Sequence, residues 1–126
     1  MAEGKFGTSI NCIDGRTQIP VSQWIKDNYS VDYVDMVNEP GCDKLLPGDN
    51  TVKIEEVKAK ALISVNAHKS SVIVVAGHHD CAGNPISKEE HITQIKQSVE
   101  AIKAWGLSVE VAGVWVNDQW QIEKVQ

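Results

Sequence analysis

The sequence predicts an α/β protein of three layers, in which helices cover both faces of a mostly parallel sheet of four to five strands. Two observations carry this prediction. Short β-rich runs alternate with amphipathic helical segments along the chain, and such alternation is typical of parallel sheets with crossover helices. Residues 71–76 form a continuous apolar run, which is typical of a central strand covered on both faces.

The first third of the chain predicts two strands and a helix. Residues 5–11 form a short strand that leads into the loop containing Cys12. Proline suits the first turn of a helix, where its missing N–H would have no partner, so Pro20 predicts a helix running to about residue 28. Residues 31–37 are rich in valine and predict a second strand, which ends at the Glu-Pro-Gly segment 39–41.

A long helix and the central strand follow. Residues 45–50 are a predicted loop, and either Asp49 or Asn50 can cap a helix that continues to about residue 67. Apolar residues of this segment recur three and four positions apart and so form one stripe. The stripe consists of Ile54, Val57, Ala61, Leu62 and Val65. The apolar run 71–76 is the third strand.

The last part of the chain predicts one more helix and two strands. Ser87 and Glu90 have the spacing of a capping box, so a helix begins there, and Gly106 ends it. Residues 107–116 form a fourth strand, and residues 120–125 return as an edge strand. Carboxyl ends of parallel strands meet at one edge of such a sheet, and ligands bind beyond that edge.

Composition and charge narrow the function classes. The 126 residues are enough for one domain, residues 1–126, with its own core. The formal net charge of -5 and the lack of a lysine and arginine run argue against nucleic-acid binding. The first residues lack the apolar core of a signal peptide, and no apolar stretch has membrane-spanning length. We therefore expect a cytoplasmic protein with no membrane partner.

Three potential metal ligands fall at the predicted carboxyl edge. Cys12 follows the first strand, and His78 and Cys81 follow the third. Two thiols and an imidazole are good zinc ligands, and three protein ligands leave one position open for water, as in catalytic zinc sites. Unrelated thiols and a structural histidine would give the same pattern, so both interpretations stay open at this point. The remaining cysteine, Cys42, is either a free loop thiol or an auxiliary thiol near the site.

Two motifs frame these ligands, C-x-D-x-R near the N-terminus and G-H-x-x-C-x-G after the third strand. In this order they resemble the zinc and dyad signature of the β-class carbonic anhydrases. The matching residues are Cys12, Asp14, Arg16, Gly77, His78, Cys81 and Gly83. The resemblance implies a β-carbonic anhydrase-like fold and a zinc ion (Zn2+) bound by Cys12, His78 and Cys81.

The resemblance also implies an activity, that of a carbonic anhydrase-like zinc lyase. Zinc hydroxide would attack carbon dioxide to give bicarbonate, with Asp14 accepting a hydrogen bond from the zinc-bound water and Arg16 holding Asp14. The family has a resting form in which this aspartate is the fourth zinc ligand, so either Asp14 or water can fill that position. The implied partners are a small-molecule substrate and a second copy of the chain, as a homodimer or a higher homo-oligomer.

Three other interpretations remain open. A carbonyl sulfide or carbon disulfide hydrolase would use similar zinc chemistry, because loops that shape the pocket decide the substrate. A non-catalytic zinc- or bicarbonate-binding module could keep the signature without a competent pocket. A redox protein would instead use the thiols of Cys12, Cys42 and Cys81.

Four further residues have expected roles or positions. Glu39 stands in a stretch where family members carry Arg-Asn-Ala-Gly, and it would oppose hydroxide formation if it pointed inward. It could equally point to solvent. His79 is a candidate proton shuttle, because histidine titrates near neutral pH, or else a partly exposed residue without that role. His68 and His91 are expected at the surface, at helix ends.

Overall fold

A computed structural model describes residues 3–126 of the protein and contains five strands and four helices in this range. The strands are β1 (Phe6–Asn11), β2 (Tyr33–Asn38), β3 (Val72–His78), β4 (Glu110–Val116) and β5 (Ile122–Lys124). The helices are α1 (Gly15–Tyr29), α2 (Cys42–Leu45), α3 (Thr51–Ala67) and α4 (Lys88–Lys103). Apart from the additional short helix α2, the strands and helices follow one another in the predicted order.

The five strands form one sheet in the order β2-β1-β3-β4-β5. β1 pairs in parallel with β2 and with β3, and β3 pairs in parallel with β4. Only the short strand β5 in this sheet is antiparallel, at the edge next to β4. The chain moves from β1 outward to β2 and then returns past β1 to β3. The direction of the connections thus reverses between β1 and β3, which is where ligands bind in open α/β sheets.

Helices cover both faces of the sheet, so the predicted three-layer architecture is confirmed. On one face, α1 contributes Val21 and Ile25 to a core cluster with residues of β3 and β4. On the other face, α3 and α4 contribute a second cluster around Ile73 and Val75 of β3. Every residue of β3 is buried, as its apolar sequence predicts for a central strand.

Helix α1 begins at Gly15, so Pro20 is its sixth residue and the expectation that Pro20 lies in the first turn was wrong. The helix starts early because Asp14 caps it, its carboxylate accepting the backbone N–H of Arg16 at 2.9 Å. Pro20 lies inside the helix, where it cannot donate the usual hydrogen bond to the carbonyl group of Arg16. The capped start places the beginning of α1 directly after Cys12.

Helices α3 and α4 begin at caps that the sequence predicts. The side chain of Asn50 accepts a hydrogen bond from the backbone N–H of Lys53 at 3.2 Å and caps α3. Ser87 and Glu90 form the predicted capping box of α4. The short helix α2 was not predicted, and it carries Cys42 and Asp43 into the core. None of the helices in residues 3–126 is long and apolar enough to cross a bilayer.

Candidate metal centre

Cys12, His78 and Cys81 meet at the carboxyl edge of the sheet. Cys12 follows β1, His78 ends β3, and Cys81 lies in the next loop. Their sulfur and nitrogen ligand atoms all lie within 4.8 Å of one another. The three residues are 6%, 2% and 4% exposed, so the cluster is buried. The fold therefore brings together the three residues that the sequence proposed as ligands.

His78 has the protonation and orientation of a metal-binding imidazole. Its Nδ1 atom lies 2.7 Å from the carbonyl oxygen of His79, and a carbonyl can only accept, so Nδ1 carries the proton and donates. Nε2 then has a free lone pair. It is the one buried side-chain nitrogen or oxygen of the described residues that lacks a hydrogen-bond partner. Burial lowers the pKa of His78, which keeps the ring neutral.

The chemistry of Cys81 also suits a cation. Burial raises the pKa of the Cys81 thiol to about 11, and the neighbouring Cys12 adds to the rise. The backbone N–H groups of Gly83 and Asn84 face the sulfur and offset part of it. A bound cation would reverse this balance, because metal coordination favours the thiolate. A buried set of two sulfurs and one imidazole nitrogen fits Zn2+.

Asp14 and Arg16 form a bidentate ion pair beside the cluster. Nε of Arg16 donates to Oδ1 of Asp14 at 3.0 Å, and Nη2 donates to Oδ2 at 2.7 Å. The hydrogen bonds from the guanidinium are the main reason that the pKa of Asp14 falls to about 2. In this structure Asp14 faces Arg16 and does not belong to the cluster of three ligand atoms.

Two more residues contact the guanidinium of Arg16, and neither contact was predicted. Asp80 accepts hydrogen bonds from Arg16 through its carboxylate and its carbonyl oxygen, both at 3.3 Å. The indole ring of Trp120 lies against the guanidinium, 4.4 Å from its central carbon. Trp120 belongs to the turn between β4 and β5, far along the chain from Arg16. No local spacing could therefore have identified this contact.

Three amide side chains hold the loop that carries Cys12. The carbonyl oxygen of Cys12 accepts hydrogen bonds from Gln18 at 2.9 Å, Asn11 at 3.2 Å and Asn38 at 3.3 Å. Gln18 also donates to the carbonyl oxygen of Asp14 at 2.9 Å. The residues come from β1, α1 and β2, so the loop is fixed by all three elements that border it. The sequence does not reveal this set, because amide residues have no distinctive pattern.

His91 is buried, and the expectation that it lies at the surface was wrong. Both side chains of the Asp43–His91 pair are 2% exposed, and Nδ1 of His91 lies 2.5 Å from Oδ2 of Asp43. Asn84, three residues after Cys81, donates to Oδ1 of Asp43 at 3.1 Å. The glycine at position 77 leaves room for this pair and for Ile95, since a Cβ there would lie 2.6 Å from Oδ2 of Asp43 and 2.9 Å from Cδ1 of Ile95. This network ties the Cys81 loop to α2 and α4.

The remaining sequence candidates lie around the centre. The carboxylate of Glu39 pairs with the amino group of Lys53 at 3.8 Å, so the negative charge of Glu39 points towards Lys53. His79 is exposed, with its ring 6.2 Å from that of Trp120. Cys42 is a buried free thiol whose Sγ donates to the carbonyl oxygen of Ala76 at 3.3 Å. Burial raises the pKa of Cys42 well above its usual range, so this thiol stays protonated.

His68 lies at the end of α3, as predicted, but it is only partly exposed. Its ring stacks on that of Phe6 with centroids 4.1 Å apart, and its Nδ1 lies 2.6 Å from Oδ2 of Asp35. Asp35 also accepts a hydrogen bond from Ser64 at 2.7 Å. His68 therefore joins α3 to β2, it does not belong to the cluster of candidate ligands, and its contacts give it a structural role.

Comparison with known proteins identifies a family and a similar fold. A family model described as "Putative carbonic anhydrase" matches residues 2–126. The chain belongs to this family. Among solved structures, a carbonic anhydrase from Glaciozyma antarctica is similar, with a TM-score of 0.59 and 13% sequence identity over 94% of this chain and 81% of that one. At this identity the likeness concerns the fold. None of the curated proteins matches the chain.

The family match and the shared fold confirm the resemblance that the two motifs indicated. The cluster of Cys12, His78 and Cys81 could hold a metal ion. The substrate expected for such a chain is a small molecule.

Proposed function

We propose that this member of the carbonic anhydrase family is a zinc enzyme that hydrates carbon dioxide reversibly to bicarbonate. The observation that carries the proposal is the buried cluster of Cys12, His78 and Cys81 next to the Asp14–Arg16 ion pair. In this proposal the three clustered residues bind zinc, and Asp14 with Arg16 forms the catalytic dyad.

The ligand residues prepare the site for the metal. Zinc, when bound, acts as a Lewis acid that lowers the pKa of a water molecule towards neutral and so supplies the nucleophile. The carbonyl oxygen of His79 holds the ring of His78 so that Nε2 points its lone pair into the cluster. Cys12 and Cys81 add two thiolates, whose negative charge would hinder loss of a proton from that water. The guanidinium of Arg16 is the positive charge nearby, and the carboxylates of Asp14 and Asp80 offset part of its effect.

Asp14 orients the reacting water and does not remove its proton. The pKa of Asp14 is about 2, so the carboxylate is ionised at neutral pH and is too weak a base to take up a proton there. It can still accept a hydrogen bond through the one lone pair of Oδ2 that Arg16 leaves free. The released proton must then pass to solvent or buffer. His79, which is exposed and adjacent to His78, is the candidate carrier.

The proposal extends to assembly and location. The three cysteines are free, as a reducing compartment such as the cytoplasm favours. Strand β2 lies at the edge of the sheet, and its first residue Tyr33 is 54% exposed. An edge strand with exposed aromatic surface supports a homo-oligomer, most simply a symmetric dimer. Sedimentation of the metal-loaded protein would measure the oligomeric state.

Stopped-flow measurement of carbon dioxide hydration on zinc-loaded protein tests the proposed activity. Wild type should catalyse hydration, and Asp14→Ala should lower kcat/KM by about 100-fold at unchanged zinc content. Cys42→Ser is the matched control, because a hydroxyl can still donate to the carbonyl of Ala76, and it should keep the activity.

Three other results would contradict the proposal in different ways. Zinc bound at full occupancy with no hydration above background would indicate a binding module. Sulfide release from carbonyl sulfide or carbon disulfide, without hydration of carbon dioxide, would indicate a hydrolase. Protein that binds no zinc at all would remove the basis of the proposal.

A further inference from the structure

We propose that Trp120 is a positioning residue that fixes the guanidinium of Arg16 and thereby holds Asp14 in place beside the metal ligands. The indole ring lies 4.4 Å from the central carbon of the guanidinium, which is the geometry of a cation–π contact. Trp120 also packs against the core cluster beneath α1. It therefore connects the exposed end of Arg16 to a rigid part of the fold.

Arg16 needs such a support because its side chain is 46% exposed. The carboxylate of Asp14 binds one edge of the guanidinium, and Asp80 accepts two longer hydrogen bonds from it at 3.3 Å. Asp80 itself is 70% exposed, so its carboxylate is a weak anchor in water. In-plane hydrogen bonds leave the faces of a guanidinium free to tilt. An aromatic ring against one face restricts that motion, and Trp120 supplies the ring.

The turn between β4 and β5 has a backbone that places Trp120 at this position. Trp120 has φ 60°, the left-handed conformation that a bulky residue rarely adopts. Asn117 holds the turn, since its Oδ1 accepts the backbone N–H groups of Gln119 and Gln121, both at 3.0 Å. The N–H of Trp120 itself donates to the carbonyl of Asn117 at 2.9 Å. A strained backbone held by its surroundings is a feature of functional positions.

The inference has a geometric part and a catalytic part. That Trp120 orders Arg16 stands on the contacts alone. That this order supports catalysis rests on the proposed function, because it requires Asp14 to orient a reacting water. The two parts can be tested separately, because Arg16 is the only arginine in the chain and its Nε–H group gives a single NMR signal.

The test compares Trp120→Leu, Trp120→Phe and wild type by NMR of the Arg16 Nε–H group, with all three proteins zinc-loaded. In wild type the signal should show a ring-current shift, and the fast transverse relaxation and high heteronuclear NOE of a rigid group. Trp120→Leu should lose both features and lower kcat about 10-fold, with KM changed less than about twofold, because misplacement of a catalytic group mainly slows the chemical step. Trp120→Phe keeps an aromatic face and should restore most of the rigidity and activity.

Trp105→Leu is the matched control. Trp105 also lies under a cation, Lys58 at 5.9 Å, but it follows α4 at the opposite edge of the sheet. Its loss should leave the Arg16 signal and kcat unchanged. Asn117→Ala is a second variant, which keeps the indole but releases the turn, and it should reproduce the loss of rigidity in part.

Two outcomes would overturn the inference. If the Arg16 Nε–H group shows no ring-current shift and is mobile in wild type, Trp120 does not order it. If Trp120→Leu leaves the signal as rigid as in wild type, other contacts hold the guanidinium. Both outcomes are read from the NMR signal of Arg16 and do not depend on activity. A wild-type protein without hydration activity would refute the proposed function, whereas the NMR result would still decide the role of Trp120.

Discussion

The carboxylate of Asp14 accepts hydrogen bonds from both the backbone N–H and the guanidinium of Arg16. The first bond caps helix α1, and the others hold the guanidinium against the carboxylate, so one carboxylate performs both tasks. An N-cap side chain bonds the N–H two or three residues further along. The spacing of two residues between Asp14 and Arg16 therefore follows from the geometry of a helix start, and the distant residues Asp80 and Trp120 contact the outer part of the guanidinium.

Replacing Arg16 with glutamine should raise the pKa of Asp14 from about 2 towards 3.8, the value of an unperturbed aspartate. The folded-state pKa lies below the unfolded one, so the pair stabilises the fold above pH 3.8 and loses this contribution as the pH falls through about 2. NMR titration of the Asp14 carboxyl carbon measures the shift. The free energy of unfolding, measured in urea, should differ between wild type and Arg16→Gln, and this gap should narrow as the pH is lowered. A gap of constant size would count against the ion pair.

Removing any one ligand should abolish tight zinc binding. Cys12→Ser, His78→Gln and Cys81→Ser should each lower the metal content from about one zinc per chain to less than about 0.1 after dialysis, because two ligands hold the ion poorly. Elemental analysis with circular dichroism as a check on folding measures this. Cys42→Ser should keep full zinc occupancy. Equal zinc loss in that variant would mean that the sulfur of Cys42 takes part in binding.

Zinc binding should release protons and grow stronger with rising pH. Burial raises the pKa of Cys81 to about 11, so its sulfur carries a proton at neutral pH that must leave when the metal binds. The apparent association constant should therefore rise by about 10-fold or more per pH unit near neutrality. Calorimetry in two buffers of different ionisation enthalpy counts the protons. An affinity that stays constant with pH would contradict a thiolate ligand at Cys81.

The pairs Asp43–His91 and Asp35–His68 have similar contacts but differ in burial, so they show how burial affects the strength of such a pair. Asp43→Ala should cost about 3–5 kcal/mol of unfolding free energy, because it leaves the partners of a fully buried carboxylate unpaired. Asp35→Ala breaks the similar contact to His68 at 2.6 Å, where both side chains are about one-third exposed, and should cost about 1 kcal/mol. Urea unfolding of both apo proteins measures the difference. Similar costs would show that burial does not set the strength of these pairs.

Asp43→Ala should also weaken the metal site. Asn84 donates to Asp43, and its backbone N–H faces the sulfur of Cys81, so the buried carboxylate helps to hold the ligand loop. Zinc affinity should fall by about 10-fold, as is typical when residues behind metal ligands are removed. Competition with a chelator measures the affinity, and Asp35→Ala should leave it unchanged.

The sequence predicted the features that depend on local patterns. The apolar run of β3 and the capping box at Ser87 specify their elements within a few residues, and both are present. Cys12, His78 and Cys81 could be selected because each follows a strand, and parallel strands end at one edge. The start of α1 was predicted too late, because Pro20 suggested a first turn, whereas the side chain of Asp14 caps the helix and makes it begin at Gly15.

The features that were missed depend on contacts between distant segments. His91 looks like a surface residue of a polar helix end, but a carboxylate from α2 allows it to be buried. Trp120 lies in a turn whose conformation depends on Asn117, and only the fold brings that turn over Arg16. The unpredicted helix α2 is a single turn held by the core, too short to form on its own.

Cys12 and His78 are separated by about half of the chain, yet they follow adjacent strands at the centre of the sheet. An ion that joins them would act as a cross-link, and closing so long a loop restricts the denatured ensemble strongly. The melting temperature would then depend on free metal concentration, because the folded state binds the ion and the unfolded chain does so poorly. A chelator that removes the ion would then lower the thermal stability of the protein. The supply of metal would in this way determine how much of the protein stays folded, as well as its activity.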